Sequence, residues 1–207
     1  MKDQEYDYFY DDEQDAVYCY PGTNILKNKL NIRDIEVLHE AERDYSSVRQ
    51  AELTNRGVTG DFSFKHLCSI HKHLFQDIYT WAGKTRTVDI SKETIFCLVQ
   101  FIEEQFDDLY RKLKKENFLA DITDKREMSV RLAFYLGELN MIHPFREGNG
   151  RTQRMYIEQL CQNNGRFEID FTEATKEEMI LASVQSANVS NDLLEALIYK
   201  CLVELVN

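Results

Sequence analysis

One stretch gathers residues able to do chemistry: Asn140-Met141-Ile142-His143-Pro144-Phe145-Arg146-Glu147-Gly148-Asn149-Gly150-Arg151-Thr152-Gln153-Arg154. A helix is expected to end near Ile142, because a proline at 144 pushes the residue before it out of the α region. A loop follows, and a new helix opens at about Gly150. Gly148 and Gly150 flank Asn149, so the backbone can approach a ligand closely and present its N–H groups. The N-terminus of the new helix adds unpaired N–H donors and a partial positive charge, an anion site suited to phosphate. Arg151 and Arg154 share one helix face and can grip two different phosphate groups. Glu147 offers a hard carboxylate oxygen, and a single carboxylate plus substrate phosphates is how proteins commonly hold Mg²⁺. His143 can accept a proton near neutral pH. A base, a metal ligand, an anion nest and cationic clamps together describe phosphoryl or nucleotidyl transfer. Singly, each has a plain structural reading; together, they fall within twelve residues.

These groups need a scaffold to hold them, and the rest of the sequence reads as helical. The chain has 207 residues, enough for one domain with a core of its own. Eight glycines and two prolines are too few for a sandwich or barrel rich in turns. Apolar stripes at helical spacing run through Ile32, Ile35, Leu38, Ala41, Tyr45 and Val48; through Phe64 to Ile78, with Ser63 as cap; and through Val99 to Leu113. A fourth stripe starts near Asp124 and runs to Leu139, and a fifth runs from Gly150 to a C-cap at Gly165. Two more helices are expected over about 175–186 and 191–206. One segment breaks the pattern. Arg86-Thr87-Val88-Asp89-Ile90 alternates, Ser91-Lys92-Glu93 can turn the chain, and Thr94-Ile95-Phe96 can return it, which reads as a short β-hairpin. A lone hairpin is marginal in water, so pairing with another chain's backbone is its natural use. Residues 1–17 are acidic, tyrosine-bearing and expected to be partly disordered, leaving a single domain over 18–207.

The composition excludes several classes. The formal net charge is −11, which argues against direct nucleic-acid binding through phosphates. No apolar run approaches a membrane span, and the acidic start lacks the apolar region of a signal peptide. The five scattered cysteines form no CxxC pair and read as reduced thiols of a cytoplasmic protein. His71 and His73 lie two apart on a helix and point to different faces, a poor metal pair. Tyr79 and Trp81 read as packing residues at the base of the hairpin, and no Walker A loop or GxGxxG is present.

His143 to Arg154 reads HPFREGNGRTQR, which matches the HPFx(D/E)GNGRxxR signature of the Fic (filamentation induced by cAMP) family. YPGTNILKNKLNI and HKHLFQDIYTWAGKTRTVDISK resemble the small bacterial Fic toxins as well. The resemblance implies the all-α Fic fold, a helical bundle with a β-hairpin flap over the active site. It implies transfer of AMP from ATP to a Tyr, Thr or Ser hydroxyl of a target protein, with release of pyrophosphate. By the same resemblance His143 is the base, Glu147 binds Mg²⁺, and Gly148, Asn149 and Gly150 form the anion hole. Arg151 meets the β-phosphate region and Arg154 holds the γ-phosphate. Lys92 can reach phosphate, and Val88, Asp89, Ile90 and Ser91 belong to the flap that aligns the target. Related flaps usually carry glycine where this chain has Glu93.

Other family traits bear on the reaction and its control. The Doc-like branch, which phosphorylates its target, usually has lysine at the position of Gly150 and lacks the last arginine, so Gly150 and Arg154 favour AMP transfer. Alternatives are the same site working on another donor (UMP, GMP or phosphocholine transfer) or a non-catalytic nucleotide-binding module, against which an intact His143 argues. Many family members carry an inhibitory (S/T)xxxE(G/N) helix. The nearest match here, Thr123 to Glu127, fails at Met128, and Ser190 and Glu195 are one residue too far apart. The expectation is therefore a separate small antitoxin that supplies a glutamate to Arg154. Resemblance to the small toxins suggests gyrase or topoisomerase subunits as targets.

Overall fold

A computed structural model describes residues 17–57, 60–91 and 95–205. Residues 1–16, including most of the acidic N-terminal segment, lie outside the described residues. The helices are α1 (Ile35–Arg56), α2 (Phe64–Phe75), α3 (Ile102–Lys115), α4 (Lys125–Ile142), α5 (Asn149–Asn164), α6 (Lys176–Asn188) and α7 (Asp192–Cys201). Each start has a local cause where a side chain takes up an orphan N–H. Asp34 accepts from Val37, Ser63 from His66 and Asp124 from Glu127, while Thr175 and Glu178 form a reciprocal capping box. Gly165 closes α5 with φ 72°, as a C-cap glycine should.

At the centre are α4 and α5, which pack against each other and are joined by loop 143–148. Both are buried on more than one face. Leu132, Ala133 and Leu139 of α4, and Met155, Ile157, Leu160 and Cys161 of α5, are fully enclosed. A helix that is apolar on several faces belongs inside a fold. Around the pair, α2 and α1 cover one side of α5, and α3, α6 and α7 complete the bundle around α4. The rigid part of the protein therefore carries the loop with the reactive side chains.

Two expectations need correction. The stripe on α1 is the buried one only at Leu38: Tyr45 and Val48 are exposed, and the inward face runs Leu38, Glu42, Ser46 and Leu53. Two of those four are polar because this face covers Arg151 of α5, which needs acceptors, not methyl groups. The last helix stops at Cys201. Leu202–Glu204 is a strand, β2, paired antiparallel with β1 (Phe167–Ile169), with Phe167 opposite Glu204. Phe167 and Ile169 point inward and Glu168 outward, the period of a strand. Where the hairpin over 86–96 is expected, Ser91 and Ile95 form an antiparallel bridge, and the turn between them, 92–94, lies outside the described residues.

Candidate active site

His143 is the C-cap of α4 and sits in the left-handed region, φ 45° and ψ 61°. Pro144 denies it the α region, so the chain leaves the helix by the other hand. Its N–H still bonds to Leu139 O at 3.0 Å. The ring is buried, stacked on Phe96 with centroids 3.9 Å apart, and its Nδ1 lies 3.1 Å from Asn140 O. A carbonyl only accepts, so Nδ1 carries the proton and the lone pair lies on Nε2. That is the tautomer a general base requires.

The loop after His143 is pinned from below. Asn149 is buried, and each end of its amide bonds to Phe145: Oδ1 accepts from the Phe145 N–H at 2.9 Å and Nδ2 donates to the Phe145 carbonyl at 2.7 Å. The Asn149 side chain thus staples the loop, and its amide keeps a second N–H beyond these two bonds. The backbone has the groups that an anion site needs. Gly148 turns at φ 78°, and α5 begins with no side-chain cap, so its first N–H groups have neither an intrahelical nor a capping partner. Gly148 N–H is already bonded to an anion, the Glu147 Oε1 at 2.8 Å.

Glu147 is half-buried and presents one carboxylate to the loop. Among the described residues, no group of three or more His, Cys, Asp or Glu could hold a metal ion. The donor set therefore suits Mg²⁺ held by one carboxylate and substrate phosphates, and does not suit a cage made wholly of protein.

His71, for which the sequence suggested no role, locks this loop. Gly83 N–H donates to its Nδ1 at 2.7 Å, so Nε2 holds the proton and donates to Glu147 O at 3.0 Å. The ring is stacked on Phe145 at 3.9 Å. Burial pushes its pKa down to about 3 from 6.5. The unfolded chain therefore takes up a proton that the folded chain refuses, and stability falls as pH drops from 6.5 toward 3. Denaturant titrations at about pH 7.5 and about pH 5 should differ by about 2 kcal/mol from this group. His71→Gln should flatten that decline; an unchanged decline would mean that His71 titrates in the folded protein.

Arg151 reaches across to α1. Its Nη1 donates to Glu42 O at 3.1 Å and Ser46 Oγ at 3.0 Å, and its Nη2 to Glu42 Oε2 at 2.7 Å. The guanidinium also lies over the Phe75 ring, 4.7 Å from its centroid. Arg154 differs: among the described residues it has no hydrogen-bond or ion-pair partner. Burial, with the charge of Arg151 adding to it, pushes its pKa down to about 10. A half-buried cation with no counter-ion among the described residues suits an anionic ligand. Gly150 keeps the approach open: a Cβ there would meet Arg154 Nη1 at 3.4 Å, ordinary contact.

The flap residues divide. Val88 and Ile90 are buried in the core, and Asp89 accepts from the Val99 N–H at 2.8 Å, so the entry to the flap is anchored structure. Ser91 makes the bridge to Ile95. Lys92 and Glu93 lie outside the described residues. What holds flap and loop together is Arg86, a buried arginine that the sequence reading passed over as one residue of a strand. Its Nε donates to His143 O at 2.8 Å, Nη1 to Val88 O at 2.8 Å, and Nη2 to Cys97 O; its own N–H bonds to Pro144 O. A charged residue opening an apolar, alternating segment was the available signal for it.

Residues 61–161 match the model of the Fic/DOC family. The chain is 40% identical over 188 residues to the protein adenylyltransferase VbhT of Bartonella schoenbuchensis, covering 90% of this chain and 39% of VbhT. It is 37% identical over 169 residues to a Sinorhizobium fredii protein named "Probable protein adenylyltransferase y4lH", covering 81% of this chain and 86% of that one. Among solved structures, the Bartonella tribocorum effector BepC with bound AMPPNP superposes with a TM-score of 0.87 at 26% identity, over 93% of this chain and 99% of that one. No helix among the described residues is long and apolar enough to cross a membrane. The helical bundle, the HPFREGNGRTQR loop between α4 and α5 and this kinship agree, and the chain belongs to the Fic/DOC family.

Proposed function

We propose that this chain transfers AMP from ATP to a side-chain hydroxyl of a target protein. His143 Nε2 takes the hydroxyl proton, the oxygen attacks the α-phosphorus, and the bond to the β-phosphate oxygen breaks to release pyrophosphate. The α5 N-terminus and the amide of Gly150 receive phosphate oxygens, joined by the Gly148 amide once Glu147 leaves it for the metal, and Arg151 and Arg154 meet the phosphates beyond. Glu147 would hold Mg²⁺, which when bound neutralises charge on the α- and β-phosphates. The observation that carries this reading is one loop-and-helix unit. It joins a histidine with its lone pair on Nε2 to a helix N-terminus without a side-chain cap and to a half-buried Arg154 that has no partner among the described residues. The names of VbhT and y4lH support the reaction, and the AMPPNP in BepC supports ATP as donor.

Further parts of the reading rest on Arg154 and on the toxin-like sequence. The target is a Tyr, Thr or Ser hydroxyl, with gyrase and topoisomerase subunits the first candidates, and the setting is cytoplasmic, where ATP is supplied. Since Arg154 meets no glutamate among the described residues, an antitoxin that brings one would displace the γ-phosphate. An isolated chain that is inactive until its own C-terminal helix is deleted would refute that regulation. The test of the reaction is intact-mass analysis after incubation with Mg·ATP and a candidate gyrase subunit or bacterial lysate. A gain of one AMP on the target is expected. A phosphate-sized gain would mean ATP bound in reverse and a kinase.

A further inference from the structure

Glu42 is a carboxylate on the inward face of α1, and its side chain is only 5% exposed. Both of its oxygens are held: Oε2 by Arg151 Nη2 at 2.7 Å, and Oε1 by the Tyr79 hydroxyl, which donates to it. Burial and the neighbouring Glu42 raise the Tyr79 pKa, so that hydroxyl stays a donor. A buried ion pair adds little to stability, because desolvation cancels most of the attraction. Its use is geometric. A guanidinium has five N–H donors. Among the described residues, α1 takes two from Nη1 and one from Nη2, leaving Nε–H and the second Nη2–H.

A second carboxylate competes for Arg151. Glu147 Oε1 lies 3.8 Å from the same Nη2, against 2.7 Å for Glu42 Oε2. The shorter contact wins by geometry, since a charge-assisted bond weakens steeply beyond about 3 Å. Without Glu42, the nearest acidic partner for Arg151 is the carboxylate assigned above to the metal. The clamp and the metal ligand would then neutralise each other.

We propose that Glu42 is a positioning residue that holds Arg151 on α1, keeping its remaining donors for the β-phosphate and leaving Glu147 to the metal. The inference rests on the adenylyl-transfer reading, in which Arg151 meets the β-phosphate. The rival is that Glu42 merely screens Arg151, in which case removing it would strengthen the pull on phosphate.

Calorimetric binding of AMP and of Mg·ADP separates the possibilities, because only ADP carries a β-phosphate. Glu42→Ala should weaken Mg·ADP about tenfold or more, the effect of one charge-assisted bond, and leave AMP within about twofold. Glu42→Gln can still accept from Arg151 and donate to Tyr79, so it should lose less, about threefold. In an Arg151→Ala background, Glu42→Ala should add nothing further. Tighter Mg·ADP binding, an equal loss for AMP and ADP, or additive losses would each overturn the proposal. If Glu42→Ala does not fold, Glu42→Gln decides alone: a loss confined to ADP supports the proposal, and unchanged affinity for both nucleotides overturns it. If Arg151→Ala weakens Mg·ADP and neither Glu42 variant does, this inference fails while the assignment of Arg151 stands. If Arg151→Ala itself leaves Mg·ADP unchanged, that assignment fails and takes this inference with it.

Discussion

His143→Ala is expected to abolish transfer while nucleotide binding survives. A positioned general base contributes about 10²–10⁴-fold to rate, and the loss should fall in that range. The structure explains why the two effects separate. What holds the loop attaches to backbone or to other side chains: Arg86 bonds to the His143 carbonyl, Asn149 to Phe145, and His71 to Glu147 O. Removing the imidazole deletes the base and its stacking on Phe96, and leaves the α5 N-terminus and both arginines in place. Alanine at φ 45° adds backbone strain, so His143→Asn should accompany it, asparagine being at ease in the left-handed region. Equal rate losses in the two variants would place the effect in the chemistry. The readouts are AMP gain on the target by intact mass and calorimetric affinity for AMPPNP. Transfer within tenfold of the parent, or loss of AMPPNP binding along with transfer, would remove His143 from the role of base.

Much of this centre was legible in the sequence because its parts are local. His143, Glu147, Gly148, Arg151 and Arg154 lie in one run, and a loop followed by a helix N-terminus follows from Pro144 and the glycines alone. The helices were legible for the same reason, and Ser63 and Gly165 cap where their types predict. What stayed hidden depends on distant partners. Glu42 meets Arg151 across 109 positions, and periodicity scores a glutamate as solvent-facing. Its place between Leu38 and Leu53, at helical spacing on the inward face, was the one trace of it. Arg86 presents the same difficulty. An arginine buried against backbone carbonyls, with Asp89 Oδ1 3.5 Å from its Nη1, has no motif. The role of Asn149 in holding the loop was also out of reach, since its amide bonds to the backbone of Phe145, which a Gly-Asn-Gly does not announce. The strands β1 and β2 are three residues each, too short for alternation to outweigh the helical signal beside them.

The second large effect is expected at Gly148, where two separate costs meet. The backbone has φ 78°, which charges any L side chain about 1–2 kcal/mol. A Cβ there would also fall on the Phe75 ring, at Cε2 and Cζ. That ring cannot swing aside easily, being fully buried, 4.8 Å from His71 and lying under the Arg151 guanidinium. Overpacking of this kind costs about 1–3 kcal/mol. Gly148→Ala should therefore lose about 2–5 kcal/mol in denaturant titration and displace the loop, with AMPPNP affinity falling alongside. Gly165→Ala isolates the backbone part, because its φ is 72° and nothing lies within 4 Å of its Cβ. It should cost about 1–2 kcal/mol and leave transfer unchanged. Phe75→Leu added to Gly148→Ala would relieve the clash and not the strain, so it should recover stability toward the Gly165→Ala level without restoring full affinity, since Arg151 loses the ring beneath it. If Gly148→Ala proves no more costly than Gly165→Ala, the ring yields and the loop is not fixed by Phe75. If it is costlier by the amount that Phe75→Leu returns, the close approach of loop to α2 is what sets the height of the anion nest above the core.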